Sequence, residues 1–164
     1  FMNNMRQVYD DAMKRINEDI KQWRDINLMG ISLGVCISSK IAASLPDKRV
    51  KNLVSLVGGS RLGLSAWDSI LTGHVAKKSG CKSAEEYEEK VAEFSPLNYL
   101  NEVNAERVFA RFGSSDLLIP YNPHGKELKN ILINLDSKKK DIKVYLFADH
   151  CSAIFFSSSA GIHR

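Results

Sequence analysis

Four short apolar runs, at 26–31, 50–57, 107–112 and 142–147, constrain the fold of this chain more than any other feature of it. Each is too short for a helix and largely apolar, and most are β-branched or aromatic, as strands buried on both faces are. Helical patterns lie between them. One covers 33–45 and stops at Pro46-Asp47. Another opens at Asn122-Pro123, a capping residue followed by a proline in the first helical position, and carries the stripe Leu128, Ile131, Leu132, Leu135. A helix over 4–24 comes first, with Met5, Val8, Tyr9, Ala12, Met13, Ile16, Ile20 and Trp23 at spacings of three and four. Strands alternating with helices predict an α/β fold: a parallel sheet with right-handed crossovers and helices on its flanks.

Composition excludes several classes. The 164 residues suit a single domain with a real core. No apolar stretch approaches the ~20 residues of a membrane span. A net charge of +4 is too small, and the lysines too scattered, for a nucleic-acid partner. The one basic run, Lys138-Lys139-Lys140, is expected to solvate a helix end. Three cysteines, Cys36, Cys81 and Cys151, form no C-x-x-C pair, so they are read as reduced thiols with a cytoplasmic expectation. No His/Cys/Asp/Glu cluster has metal spacing, and no lysine follows the Gly58-Gly59-Ser60 turn as a phosphate loop would need.

The alternation is broken once. Residues of about 60–104 form an insertion between the second and third strands. Ser83-Ala84-Glu85-Glu86 is a capping box that opens a charged helix there, and Leu64, Trp67, Ile70, Leu71 and Val75 make a rough apolar stripe before it. Lids and caps sit at this edge of parallel sheets. Trp67 is expected to line an acyl pocket, although an apolar helix face also serves as plain core.

Chemistry enters at Gly30-Ile31-Ser32-Leu33-Gly34, where a strand meets a helix. A serine on so sharp a turn is strained, with its hydroxyl pushed out above the sheet. The helix behind it favours developing negative charge, and the Leu33 N–H is placed to face an oxyanion. A serine needs a base, and the base an orienting acid. Asp116 follows the third strand in Gly113-Ser114-Ser115-Asp116, and His150 follows the fourth in Ala148-Asp149-His150. Ser, Asp and His thus come in that order, each past a strand end, on one sheet edge.

These residues resemble the carboxyl-terminal half of an α/β-hydrolase, from the nucleophile elbow onward. Residues 30–34 resemble the elbow, 95–100 and 107–116 the run leading into the acid, and Asp149-His150 the histidine loop. The resemblance covers 26 to about 155. It implies a serine hydrolase acting on an ester or thioester, with Ser32 as nucleophile, His150 as base, Asp116 as acid, Leu33 in the oxyanion hole, a small-molecule acyl substrate and no cofactor. Acyl transfer and peptide cleavage remain open within the same fold, as does a non-catalytic binding or scaffold role.

The remaining titratable groups are expected to be bystanders. His74, His124 and His163 are read as surface histidines, and Asp68 as a weak rival for the acid. Asp149 is read as a loop cap, and Cys36 and Cys151 as buried small residues. Members of the resembled fold carry further strands before the elbow, and those loops supply a second oxyanion donor. The chain is therefore expected to be a fragment or one half of a pair, with a preceding segment or partner chain covering the open edge of the elbow strand.

Overall fold

The computed structural model describes residues 2–19, 25–45 and 50–159. Four parallel strands form one sheet in the order β1 (Ile26–Ile31), β2 (Val50–Leu56), β3 (Ala105–Gly113), β4 (Lys139–Tyr145). Among the described residues there are seven α-helices: α1 (Met2–Asp19), α2 (Gly34–Ser44), α3 (Leu62–Asp68), α4 (Gly73–Lys77), α5 (Ala84–Val91), α6 (Lys126–Asn134) and α7 (His150–Ser159). Sequential strands are neighbours and all run the same way. Every strand therefore ends at one edge of the sheet, and that geometry assembles the site.

Period-two alternation distributes the strands' side chains over two faces. Leu53, Val108, Ala110 and Phe112 point to one face, where Val35 and Ala42 of α2 and Leu128, Ile131 and Leu132 of α6 close a buried core. Val54 and Leu56 point to the other, against Ala153 of α7. Full burial of a side chain such as Leu53 or Leu132 contributes about 1.5–3 kcal/mol. Helix α1 packs outside α2, where Ile16, Ile26 and Ile41 form a separate cluster. Of the predicted α1 stripe, Met5 and Ile16 are buried and Val8 is exposed; Ile20 and Trp23 lie outside the described residues.

Several boundaries differ from the sequence reading. The fourth strand runs over 139–145 instead of 142–147. It is an edge strand, so it tolerates Lys139 and Lys140 at its start, where charge discourages further pairing. Lys140 still meets a helix end, because its Nζ donates to the carbonyl of Ile133 in the last turn of α6 at 2.8 Å. Phe147, expected in the strand, sits beyond it on a turn with φ +60° and is 89% exposed. Asn122 does not cap α6. Its backbone is extended, as the residue before a proline prefers, and the regular helix begins only at Lys126. The insertion's apolar stripe is not one helix face: α3 stops at Asp68, and Ile70, Leu71 and Val75 are exposed. The capping box is present, with Ser83 Oγ accepting from the Glu86 N–H at 3.2 Å.

At the other edge of the sheet β1 presents an uncharged strand with Met29 and Ile31 exposed. Among the described residues no helix is long and apolar enough to cross a membrane.

Candidate active site

The elbow is built by β1 running straight into α2. Ser32 stands between them at φ +55°, a region that non-glycine residues rarely occupy. The turn is held by the Ser32 N–H donating to the Leu56 carbonyl of β2 at 2.9 Å and by Val35 N–H donating back to the Ser32 carbonyl at 3.1 Å. The two glycines of the motif act differently. A Cβ at Gly30 would run into Ser38 Oγ, the Gly34 carbonyl and Val35 Cα, so only glycine lets α2 lie this close; at Gly34 a Cβ would meet nothing within 4 Å. The Leu33 and Gly34 N–H groups head α2, where no intrahelical acceptor reaches them.

Strain gathers along this edge. Besides Ser32, the non-glycine residues with positive φ among those described are Val57, just past β2, and Phe147, just past β4. Such residues persist where the surrounding structure over-determines them, and they cluster at working sites.

Asp116 and His150 are brought together by backbone. The loop after β3 and the loop after β4 are sewn to each other: Ser114 N–H donates to the Tyr145 carbonyl and Ser115 N–H to the Ala148 carbonyl, both at 3.0 Å. A Cβ on Gly113 would collide with the carbonyls of Ala148 and Asp149, so this glycine also permits a close approach. Asp116 Oδ1 accepts from the N–H groups of Leu118 and Ile119 at 2.8 and 2.9 Å. That fixes the carboxylate and aims Oδ2 at His150 Nδ1, 2.7 Å away, with both residues buried. A carboxylate only accepts, so Nδ1 carries the proton and Nε2 of the neutral ring is left as the basic nitrogen. Among the described residues no hydrogen bond joins Ser32 Oγ to this ring; the two share a sheet edge, with β2 and β3 between their strands.

His150 lies past the strand, as the first residue of α7, a helix the sequence did not announce. Asp149 caps that helix: its Oδ1 accepts from the N–H and Oγ of Ser152, and the Ser152 backbone bond, first among the causes, holds its carboxyl below the usual aspartate value.

Trp67 is half-buried in α3 and packs against Tyr87 of α5, with ring centroids 6.2 Å apart. Cys36 is buried as expected, and desolvation pushes its thiol up to about 12. Cys151 is exposed, against the expectation of a buried residue, because it occupies the outer face of the first turn of α7. His74 is exposed, and His163 lies outside the described residues. His124 is the larger correction. It is 2% exposed instead of a surface residue, and its Nε2 meets Asp68 Oδ2 at 2.8 Å. No spacing in the sequence signals this pair.

No protein-family model matches the sequence, and no curated protein does. Solved structures match well. An acylaminoacyl peptidase of Pyrococcus horikoshii superposes with a TM-score of 0.67 and 19% identity, over 89% of this chain and 24% of that one. A puromycin-hydrolysing peptidase of Mycobacterium tuberculosis gives 0.64 and 16%, over 87% and 22%. An acetyl xylan esterase of a Thermoanaerobacterium gives 0.58 and 21%, over 84% and 44%. The chain thus has the α/β-hydrolase fold, corresponding to the carboxyl-terminal part of such proteins. It spans about a quarter of the length of the archaeal peptidase it matches.

Proposed function

We propose that the protein is a serine hydrolase that cleaves a carboxylic ester or thioester through an acyl-enzyme on Ser32. The observation that carries this reading is the buried Asp116–His150 pair, 2.7 Å apart, on the same sheet edge as a serine held at φ +55°. Ser32 Oγ bonds to the acyl carbon as its proton passes to His150 Nε2. Asp116 holds the tautomer and stabilises the imidazolium. The carbonyl oxygen becomes an oxyanion against the Leu33 N–H and the start of α2. When the tetrahedral intermediate collapses, the bond to the leaving oxygen or sulfur breaks and His150 returns the proton to it. Water, deprotonated by His150, then bonds to the acyl carbon and frees Ser32. The insertion at about 60–104 acts as a cap, with Trp67 on the acyl group.

A second reading is amide cleavage by the same residues. The peptidases among the structural neighbours favour it. Both readings predict that a fluorophosphonate probe labels Ser32, located by mass spectrometry of the modified peptide. Ser32→Ala should abolish labelling and lower turnover by about 10⁴-fold or more while leaving the fold intact. A scaffold protein would give no label, and retained turnover in the alanine variant would remove Ser32 from the mechanism. Paired ester and anilide substrates with one acyl group then separate the two reactions.

A further inference from the structure

Asp68 and His124 belong to different elements. Asp68 closes α3 inside the insertion, and His124 lies in the segment between the acid loop and α6. We propose that they are positioning residues: their contact fastens the insertion onto the segment that carries Asp116 and so holds the Asp116 carboxylate toward His150. The proposal rests on the serine-hydrolase reading of that site.

Each end of the contact is tied to its surroundings by hydrogen bonds. His124 is 2% exposed, and its carbonyl accepts from the Ser60 N–H at 3.3 Å. Asp68 leads into a turn tied to itself. Ser69 Oγ accepts from the N–H groups of Leu71 and Thr72 at 3.2 and 3.3 Å, and Thr72 Oγ1 donates to the Ala66 carbonyl at 2.9 Å. These bonds brace the turn as one unit.

That unit touches the acid loop once and the segment just after it once. Asp68 Oδ2 takes His124 Nε2 at 2.8 Å, and the Ile70 N–H donates to the Leu117 carbonyl at 3.1 Å. Leu117 directly follows Asp116. The orientation of Asp116 depends on this same backbone, because its Oδ1 is held by the N–H groups of Leu118 and Ile119. The far end of the loop is closed by Gly125 N–H donating to the Pro120 carbonyl at 3.3 Å. Asp68 therefore acts on the reaction through Leu117 and the loop, without touching a reacting atom. Loss of its carboxylate, which is 51% exposed, leaves the buried imidazole N–H without its protein acceptor and frees the segment around His124 to shift. A shift of about 1 Å at a reacting group costs on the order of 100-fold in rate.

The test compares wild type, Asp68→Ala and Asp68→Asn in rate of fluorophosphonate labelling at Ser32, with two companion measurements. One is the thermal midpoint. The other is the downfield proton resonance of the His150 ring N–H bonded to Asp116. Asp68→Ala should slow labelling by about 10–100-fold and broaden that resonance. Asp68→Asn keeps an acceptor oxygen and should recover most of both. Labelling at the wild-type rate with a sharp resonance, whatever the thermal midpoint, reduces the pair to packing and overturns the proposal while the hydrolase reading stands. A wild type that takes no label at Ser32 overturns both. Should the alanine variant not fold, Asp68→Ser, polar but too short to reach His124, is judged on the same outcomes.

Discussion

Asp116 divides its two oxygens: Oδ1 belongs to the backbone N–H groups of Leu118 and Ile119, and Oδ2 belongs to His150, 2.7 Å away. The carboxylate is therefore held in place from both sides. Asp116→Asn keeps the shape and can keep the loop bonds, but it can present an N–H to the ring and favour the wrong tautomer. It should lower kcat by about 10⁴-fold with little change in thermal midpoint. Asp149→Asn, a change at a helix cap, should leave kcat nearly intact. The reverse result would place the acid at Asp149.

The elbow glycines should separate in a melting experiment. Gly30→Ala forces a methyl group against Ser38 Oγ and the backbone of α2, and should cost about 1–3 kcal/mol. Gly34→Ala meets open space at the first position of a helix and should be neutral or stabilising by up to about 1 kcal/mol. Equal losses at both positions would mean that the turn, and not the approach of α2, sets the requirement.

Arg111 is 1% exposed on β3, stacked over Phe109, with its guanidinium bonded to Asp141 Oδ2 at 2.8 Å. That bond lowers the Asp141 carboxyl below its ordinary value of 3.8. A depressed folded value means stability that is present above the unfolded value and is lost as pH falls through the folded one. Asp141→Ala should cost about 1–2 kcal/mol at neutral pH, a modest figure because the carboxylate side is 41% exposed. The two denaturation curves should converge below pH 3.8. A gap that persists at lower pH would show that packing, not charge, is lost.

The thiols should react in a fixed order. Cys151 is exposed, whereas Cys36 and Cys81 are buried. A disulfide reagent at neutral pH should titrate one thiol quickly and the other two only on unfolding. The Cys36 thiol lies near 12 in the folded chain, against 9.0 for the free group. A raised folded value gives stability that is full below the unfolded value and falls as pH rises. Stability should therefore decline from about pH 9 upward, and Cys36→Ala should flatten that decline. An identical alkaline slope in both proteins would contradict this.

The sheet and the Asp116–His150 pair were legible because both follow from order along the chain. Apolar runs bounded β1 at 26–31, as observed, and parallel strands put every following loop on one edge. Misreadings arose where local chemistry and tertiary position disagree. Lys139 and Lys140 read as the solvated end of a helix; they are exposed, but they lie in the start of edge strand β4. Phe147 reads as strand, yet the chain turns before it. Helix α7 was hidden by its serines, which favour caps and turns over helix interiors, and it forms by covering Val54 and Leu56. The Asp68–His124 contact joins residues 56 apart with no motif between them. Only the folding of the insertion onto the acid loop creates it.

Strand β2 bears none of the proposed reacting groups, yet it is bonded to both sides of them. Its Leu56 carbonyl takes the Ser32 N–H at 2.9 Å, and the Val57 N–H just beyond it donates to the Arg111 carbonyl of β3 at 2.8 Å. Acid and base ride together on β3 and β4, while the serine rides on β1. The separation between these two bodies is thus a length measured off by one intervening strand and by its twist of roughly 20–25° per neighbour. The loops after β3 and β4 are sewn to each other, and β2 is the gauge that sets them against the proposed nucleophile, so a change in its pleat would detune the proposed chemistry without touching a single reacting atom.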